Sequence, residues 1–97
     1  MGTLKGKTAL VTGTSQGIGA AISKELIEKG CNICMHYFHS SETPELLKKL
    51  AEKNGLKASC IQADLTNERD TIRCIEEVGG HFGAFDILVN NSGALVE

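Results

Sequence analysis

Three glycines, Gly13, Gly17 and Gly19, are crowded into the stretch TGTSQGIG between an apolar run and the start of a helical pattern. Glycine inside regular structure costs about 0.5–1 kcal/mol relative to alanine, so this spacing indicates a compensating need. A tight turn, close backbone packing, and a ligand held against the main chain are the alternatives. The stretch constrains the chain to pass from a strand through a glycine-rich turn into a helix.

Four apolar runs alternate with three segments of helical periodicity. The predicted strands are residues 8–12, 32–37, 58–62 and 85–90. Strands that are apolar throughout are typical of parallel sheets covered on both faces. The order βαβαβαβ therefore predicts an α/β fold, namely half of a Rossmann-type doubly wound parallel sheet. Because no repeat, linker or low-complexity segment is present, residues 1–97 are expected to form one part of a single domain.

Local signals place the starts of the second and third helices. Thr43 is expected to cap the second helix, with Pro44 at its first position. Thr66 or Asn67 is expected to cap the third. Periodicity predicts that the third helix turns four apolar side chains inward: Ile72, Ile75, Val78 and Phe82.

Composition excludes several classes of protein. Of the 97 residues, 41% are apolar and 23% are charged, with a formal net charge of −2. This balance and the lack of a basic cluster argue against nucleic-acid binding. No stretch is long enough to span a membrane, and the start of the chain has no signal-peptide pattern. We therefore expect a cytoplasmic protein without membrane or nucleic-acid partners.

Cys31 and Cys34 form a C-x-x-C pair that suggests either a redox site or half of a zinc site. The pair falls in a predicted strand, where side chains three residues apart point to opposite faces. No second C-x-x-C or histidine pair completes a metal site. We interpret these residues, with Cys60 and Cys74, as small buried side chains in a reducing compartment, and we expect no metal.

Several features fall at the carboxyl ends of predicted parallel strands, where open α/β sheets bind ligands. Gly13 would permit a sharp turn, Gly17 would expose helix N-terminal N–H groups to a pyrophosphate, and Gly19 would permit close packing. Asp64 and Asn90 follow the third and fourth strands. Asp64 could instead serve helix entry, and Asn90 could satisfy a local turn.

Together, the motifs resemble those of the short-chain dehydrogenase/reductase family. TGTSQGIG is similar to the family's T-G-x-x-x-G-x-G loop, ADL to its adenine-contacting segment, and NNSG to its N-N-A-G, with Ser92 in place of alanine. Within the family, the chain looks most like the 3-oxoacyl-acyl-carrier-protein reductase and glucose dehydrogenase type. The resemblance implies an oxidoreductase that transfers hydride between NAD(P) and a small carbonyl or alcohol substrate.

The resemblance also implies which residues hold the cofactor. Those expected near the diphosphate are Gly13, Ser15, Gln16, Ile18 and Gly19. Asp64 and Leu65 would contact adenine, and Asn90, Ser92 and Gly93 would approach the nicotinamide side. Asn90 could equally tie neighbouring strands together.

The end of the second strand bears on the choice between NAD and NADP. A carboxylate here would bind the ribose 2′-hydroxyl of NAD, but HYFHSS contains none. We therefore expect NADP rather than NAD, with Tyr37, His39 and Ser40 beside it. Ser41 offers a further donor. Against this, Gln16 and Phe38 stand where NADP users of the family commonly carry Arg or Lys, and a solvated loop is the alternative.

The family's catalytic Tyr-x-x-x-Lys pair has no match in this chain. Tyr37 is followed four positions later by Ser41, and the sequence given stops at Glu97. We therefore assign no catalytic residue and expect the N-terminal part of a longer, homo-oligomeric reductase, which in isolation would be marginally stable or self-associating. The alternatives are a non-catalytic nucleotide- or partner-binding module and, more remotely, a methyltransferase.

Overall fold

A computed structural model of the chain describes residues 4–15 and 17–91. The elements within these residues are β1 (Thr8–Val11), α1 (Gly17–Glu28), β2 (Asn32–Tyr37), α2 (Glu42–Lys53), β3 (Ala58–Gln62), α3 (Glu68–Phe82) and β4 (Ile87–Val89). The strands form one parallel sheet in the order β3-β2-β1-β4. The predicted α/β, Rossmann-type architecture is confirmed.

Two apolar clusters cover the two faces of the sheet. On one face, Val11 and Ile33 pack with Ile27 of α1 and Ala51 of α2. On the other face, the neighbouring Leu10 and Cys34 pack with Ile61 of β3 and with Cys74 and Val78 of α3. Successive strand residues point to opposite faces, so a short run of buried residues serves both layers. Helices on both faces make the sheet doubly wound.

The prediction for the inward face of α3 was partly wrong. Ile72 is 50% exposed and Ile75 is 46% exposed, whereas Thr71, Cys74 and Val78 are buried. The Thr71 hydroxyl donates to the Leu65 and Asn67 carbonyls, at 3.2 Å and 2.9 Å. These hydrogen bonds compensate for the desolvation of the hydroxyl, so a small polar side chain can face inward and the helix is rotated from the expected register. Of the other predicted inward residues, Val78 is buried and Phe82 packs against the same cluster.

The predicted boundaries of three elements also needed correction. Helix α2 begins at Glu42, after Ser41 rather than Thr43, because the Glu45 N–H already donates to the Ser41 carbonyl at 2.9 Å. Pro44 is tolerated within the first turn, where backbone N–H groups have no helical acceptor. Strand β1 ends at Val11 rather than at residue 12, and strand β4 is shorter than the predicted 85–90. The third helix is capped by Asn67, one of the two expected residues, whose side chain accepts from the Asp70 N–H.

The cysteines match the predicted small buried side chains except at Cys60, which is only partly buried. Cys31, Cys34 and Cys74 are buried and all four thiols are free. Burial raises the pKa of the Cys60 thiol to about 12 and that of Cys74 to about 11, so neither is an activated nucleophile. The described residues contain no cluster of three or more potential metal-ligating side chains. Nor do they include a helix long and apolar enough to cross a membrane.

We predict that Ile33→Ala lowers the free energy of unfolding by about 2–5 kcal/mol, because it leaves a cavity in the centre of the sheet. Ile33 is 0% exposed, whereas Leu46, on the outer surface of α2, is 62% exposed. Leu46→Ala is the control and should change stability by no more than about 0.5 kcal/mol. Urea denaturation measures both, and equal effects would contradict this assignment of the core.

Candidate functional site

The glycine loop lies at the carboxyl edge of the sheet between β1 and α1. Gly13 has φ +66° and Gly17 has φ +67°. Residues with a Cβ atom rarely adopt this left-handed region, so both positions require glycine. A Cβ atom on Gly17 would have no heavy atom within 4 Å, which means that the space beside this backbone is open. The turn expected at Gly13 is therefore present, and Gly17 leaves the entrance to α1 uncovered.

Gly19 has a different role, because it permits close packing. A Cβ atom placed there would lie 2.1 Å from the carbonyl oxygen of Gly13 and 2.7 Å from the side-chain nitrogen of Asn91. Both separations are below any normal contact. The first turn of α1 can therefore lie against the end of β1 only if residue 19 has no side chain.

The exposed N-terminus of α1 is suited to an anion. The first backbone N–H groups of a helix have no intrahelical acceptor, and the helix dipole places partial positive charge there. The first turn of α1 contains no acidic side chain to neutralise it. Ile18 is exposed at this end, beside the uncovered backbone of Gly17. A diphosphate fits this charge and space.

The end of β4 is tied to the glycine loop. The Asn91 N–H donates to Thr12 Oγ1 at 2.9 Å, and the Asn91 side-chain amide donates to the Gly13 carbonyl at 3.0 Å. Thr12 Oγ1 lies 3.4 Å from Asn90 Oδ1. Asn90 thus has the strand-tying position considered above. Asn91 was not predicted as a site residue, although it stands in the NNSG motif.

The end of β2 is tied to the same loop through His36, which was also not predicted. Its Nδ1 accepts a hydrogen bond from the Gly13 N–H at 3.1 Å. Its backbone carbonyl accepts from the Thr14 N–H at 3.0 Å and from the Thr14 hydroxyl at 2.7 Å. The available signal was a single imidazole inside an otherwise apolar strand.

A cavity of about 530 Å³ opens beside the loop at the end of β2. Its described lining residues are Gly13, Ser15, His36, Phe38, His39, Ser40, Glu42 and Thr43. The Ser15 hydroxyl donates to the Ser40 carbonyl at 2.8 Å and so joins the glycine loop to the segment after β2. Four of the predicted site residues therefore meet here, whereas Tyr37 is not part of this described lining.

Asp64 and Leu65 form the corner between β3 and α3. Asp64 Oδ1 accepts from both the N–H and the hydroxyl of Thr66, at 3.0 Å and 2.6 Å, so one carboxylate oxygen serves helix entry. Leu65 is buried, and its carbonyl accepts from Thr71. The Asp64 N–H donates to Asp70 Oδ2 at 2.8 Å.

Asp70 organises this corner from α3. Its Oδ1 accepts from Arg73 Nε at 3.2 Å, and Arg73 also donates to the Gln62 carbonyl at 2.7 Å. The hydrogen bond from the Asp64 N–H, followed by that from Arg73, lowers the pKa of the Asp70 carboxyl. Three other predicted site residues, Gln16, Ser92 and Gly93, lie outside the described residues.

Comparison with known proteins identifies relatives along nearly the whole chain. The family described as short chain dehydrogenase matches residues 7–97. Elsinochrome reductase 1 of Elsinoe fawcettii is 39% identical over 92 residues, which are 95% of this chain and 34% of the relative. The 3-oxoacyl-[acyl-carrier-protein] reductase of Staphylococcus aureus is 39% identical over 87 residues, covering 90% of this chain and 35% of the relative.

A solved structure has the same fold over most of this chain. A short chain dehydrogenase from Burkholderia cenocepacia, in complex with NADP, superposes with a TM-score of 0.84 and 41% identity. The match covers 90% of this chain and 36% of that protein. The chain thus spans about a third of the length of the curated relatives it matches.

We predict that Gly19→Ala destabilises the protein and weakens dinucleotide binding at least tenfold, because the new methyl group collides with the Gly13 carbonyl. Gly80→Ala is the matched control: a Cβ atom there meets nothing within 4 Å on α3, so it should stabilise the helix by about 0.8–1 kcal/mol. Thermal denaturation and calorimetric titration measure the two effects. Unchanged binding by Gly19→Ala would contradict the packing role.

We predict that Asp70→Asn lowers stability at neutral pH but has progressively less effect in acid. The folded-state pKa of Asp70 lies below its ordinary value of 3.8. The carboxylate therefore stabilises the fold at pH values above 3.8, and this stabilisation is lost as the pH falls through the folded-state pKa. Urea denaturation at about pH 7 and about pH 3 measures the difference.

Glu77→Gln is the control for the Asp70 variant, because Glu77 also pairs with Arg73 but lies on the exposed side of α3. If Asp70→Asn lowers the free energy of unfolding by the same amount at both pH values, the carboxylate charge is unimportant.

Proposed function

The chain belongs to the short-chain dehydrogenase family, and from this premise we propose that it is the cofactor-holding part of an oxidoreductase. The chemistry supplied by a bound nicotinamide is hydride transfer to or from the carbon of a small carbonyl or alcohol substrate. The observation that carries the proposal is the glycine loop, in which Gly17 leaves open a helix N-terminus without acidic side chains, while Gly19 allows α1 to pack against β1.

Each predicted contact has a place in this proposal. The diphosphate would lie over the N-terminus of α1, near Gly13, Ser15 and Ile18, with Gln16 assigned by the resemblance alone. Adenine would lie at the β3–α3 corner, beside Asp64 and Leu65, which the resemblance assigns to it. Asn90 would serve the nicotinamide side, as would Ser92 and Gly93 by resemblance. No catalytic residue is assigned within the chain.

We favour NADP as the cofactor. The cavity after β2 presents hydroxyl and imidazole groups from Ser15, His39 and Ser40, and Phe38 stands at the end of the strand where an acidic residue would favour NAD. We also propose that Tyr37 lies near the adenosine half of the cofactor. Glu42 is the one carboxylate among the described lining residues, and it is on the first turn of α2. The NADP complex of the Burkholderia relative supports this choice.

The whole protein is proposed to be a cytoplasmic homo-oligomer, with residues 1–97 as the N-terminal dinucleotide-binding part of one Rossmann-type domain. The half-exposed apolar side chains Ile72, Ile75 and Leu88 support burial against further protein. The net charge of −2 gives no support to a nucleic-acid partner.

We predict that the intact protein binds NADPH more tightly than NADH and that Ser40→Asp reverses this preference. A carboxylate at position 40 would repel a 2′-phosphate, which should weaken NADPH binding about tenfold, equivalent to about 1.4 kcal/mol, without weakening NADH binding. Ser40→Asn is the control, because asparagine has nearly the same size as aspartate but carries no charge. Fluorescence titration with both nucleotides measures the affinities, and tighter NADH binding by the unmodified protein would contradict the choice of NADP.

A further inference from the structure

His36 is a buried imidazole whose two nitrogens both have backbone partners. His36 is only 2% exposed. Nδ1 lies 3.1 Å from the Gly13 nitrogen, which can only donate, and Nε2 lies 2.8 Å from the Ala63 oxygen, which can only accept. These partners assign the proton to Nε2 and leave Nδ1 bare. The bonds as they stand require the neutral ring.

This one side chain joins three strand ends. Gly13 follows β1, His36 itself is in β2, and Ala63 follows β3 immediately before Asp64. The His36 backbone also holds Thr14, so both Gly13 and Thr14 are fixed by the same residue. The glycine loop and the β3–α3 corner are therefore linked through a single imidazole.

We propose that His36 is a positioning residue that sets the glycine loop relative to the β3–α3 corner for dinucleotide binding, and that it does so only when its ring is neutral. This inference rests on the proposed function, because the two linked segments are those assigned to the diphosphate and to adenine. A protonated ring would place Nδ1–H against the Gly13 N–H, two donors facing each other. The loop would then have to move, and the diphosphate amides with it.

The surroundings of the ring favour the neutral form. Burial lowers the pKa of His36, an effect that the hydrogen bond to the Ala63 carbonyl opposes. His39, after β2, and Glu42, at the start of α2, line the cavity that His36 also lines, and Asp64 follows Ala63 after β3. Gly13, Thr14 and Ser15 of the glycine loop contribute no ionisable side chain. Because His39 is a second imidazole in the lining of this cavity, any test must separate the two histidines.

The proposal is tested by measuring NADPH affinity against pH for the intact protein and for three variants. As the pH falls below the pKa of His36, the unmodified protein should lose affinity by about tenfold for each pH unit, the slope of one linked proton. His36→Asn should abolish this acid loss, because an Asn Oδ1 can accept from the Gly13 N–H without titrating. His36→Leu should weaken binding about tenfold or more at every pH, because it leaves the Gly13 N–H and the Ala63 carbonyl unpaired. His39→Asn should retain the acid loss.

A second readout does not depend on the nucleotide. In ¹H–¹⁵N spectra of the free protein, the Gly13 amide resonance should titrate with the His36 ring and should stop doing so in His36→Asn. Circular dichroism at each pH verifies that the proteins remain folded, and only pH values at which they do are compared. An acid loss that persists in His36→Asn, or normal binding by His36→Leu, overturns the proposal. A titrating Gly13 amide in a protein that binds no dinucleotide at any pH would instead overturn the proposed function, and the binding role of His36 with it.

Discussion

The site depends on the direct approach of one piece of backbone to another. The first turn of α1 lies so close to the end of β1 that a single added carbon on Gly19 would come within 2.1 Å of the Gly13 oxygen. That approach fixes the start of α1 against the end of β1, at the sheet edge, where the first helical N–H groups have no intrahelical acceptor. The open space beside Gly17 follows from the same geometry, since the chain must turn through a left-handed residue to enter the helix.

The loop itself has few side chains, so neighbouring strands supply its rigidity. His36 from β2 and Asn91 from beyond β4 bond to opposite sides of Gly13, one to its N–H and the other to its carbonyl. Thr12 adds a bond to the end of β4. These hydrogen bonds join uncharged groups, so salt should weaken them little. The parallel sheet thus serves as a frame that fixes backbone amides at its edge.

Much of the fold and the outline of the site could be predicted because the signals are local. The glycines mark positions where the backbone cannot accommodate a Cβ atom, and the apolar runs mark strands. The glycine-rich edge of the sheet could therefore be identified from the sequence. The buried face of α3 could not, because periodicity of large apolar residues does not reveal that Thr71 is buried through its bond to Leu65. His36 was missed because its partners lie 23 and 27 residues away in sequence, at distances that only the folded sheet closes.

The pairing of β1 with β4 has a consequence for how the molecule is made. Thr12 and its partners Val89 and Asn91 are 77 and 79 residues apart. During synthesis the glycine loop leaves the ribosome long before the strand that anchors it, and closing so long a loop is entropically slow. A dinucleotide bound at the closed loop would stabilise chains in which this contact has formed over chains in which it has not.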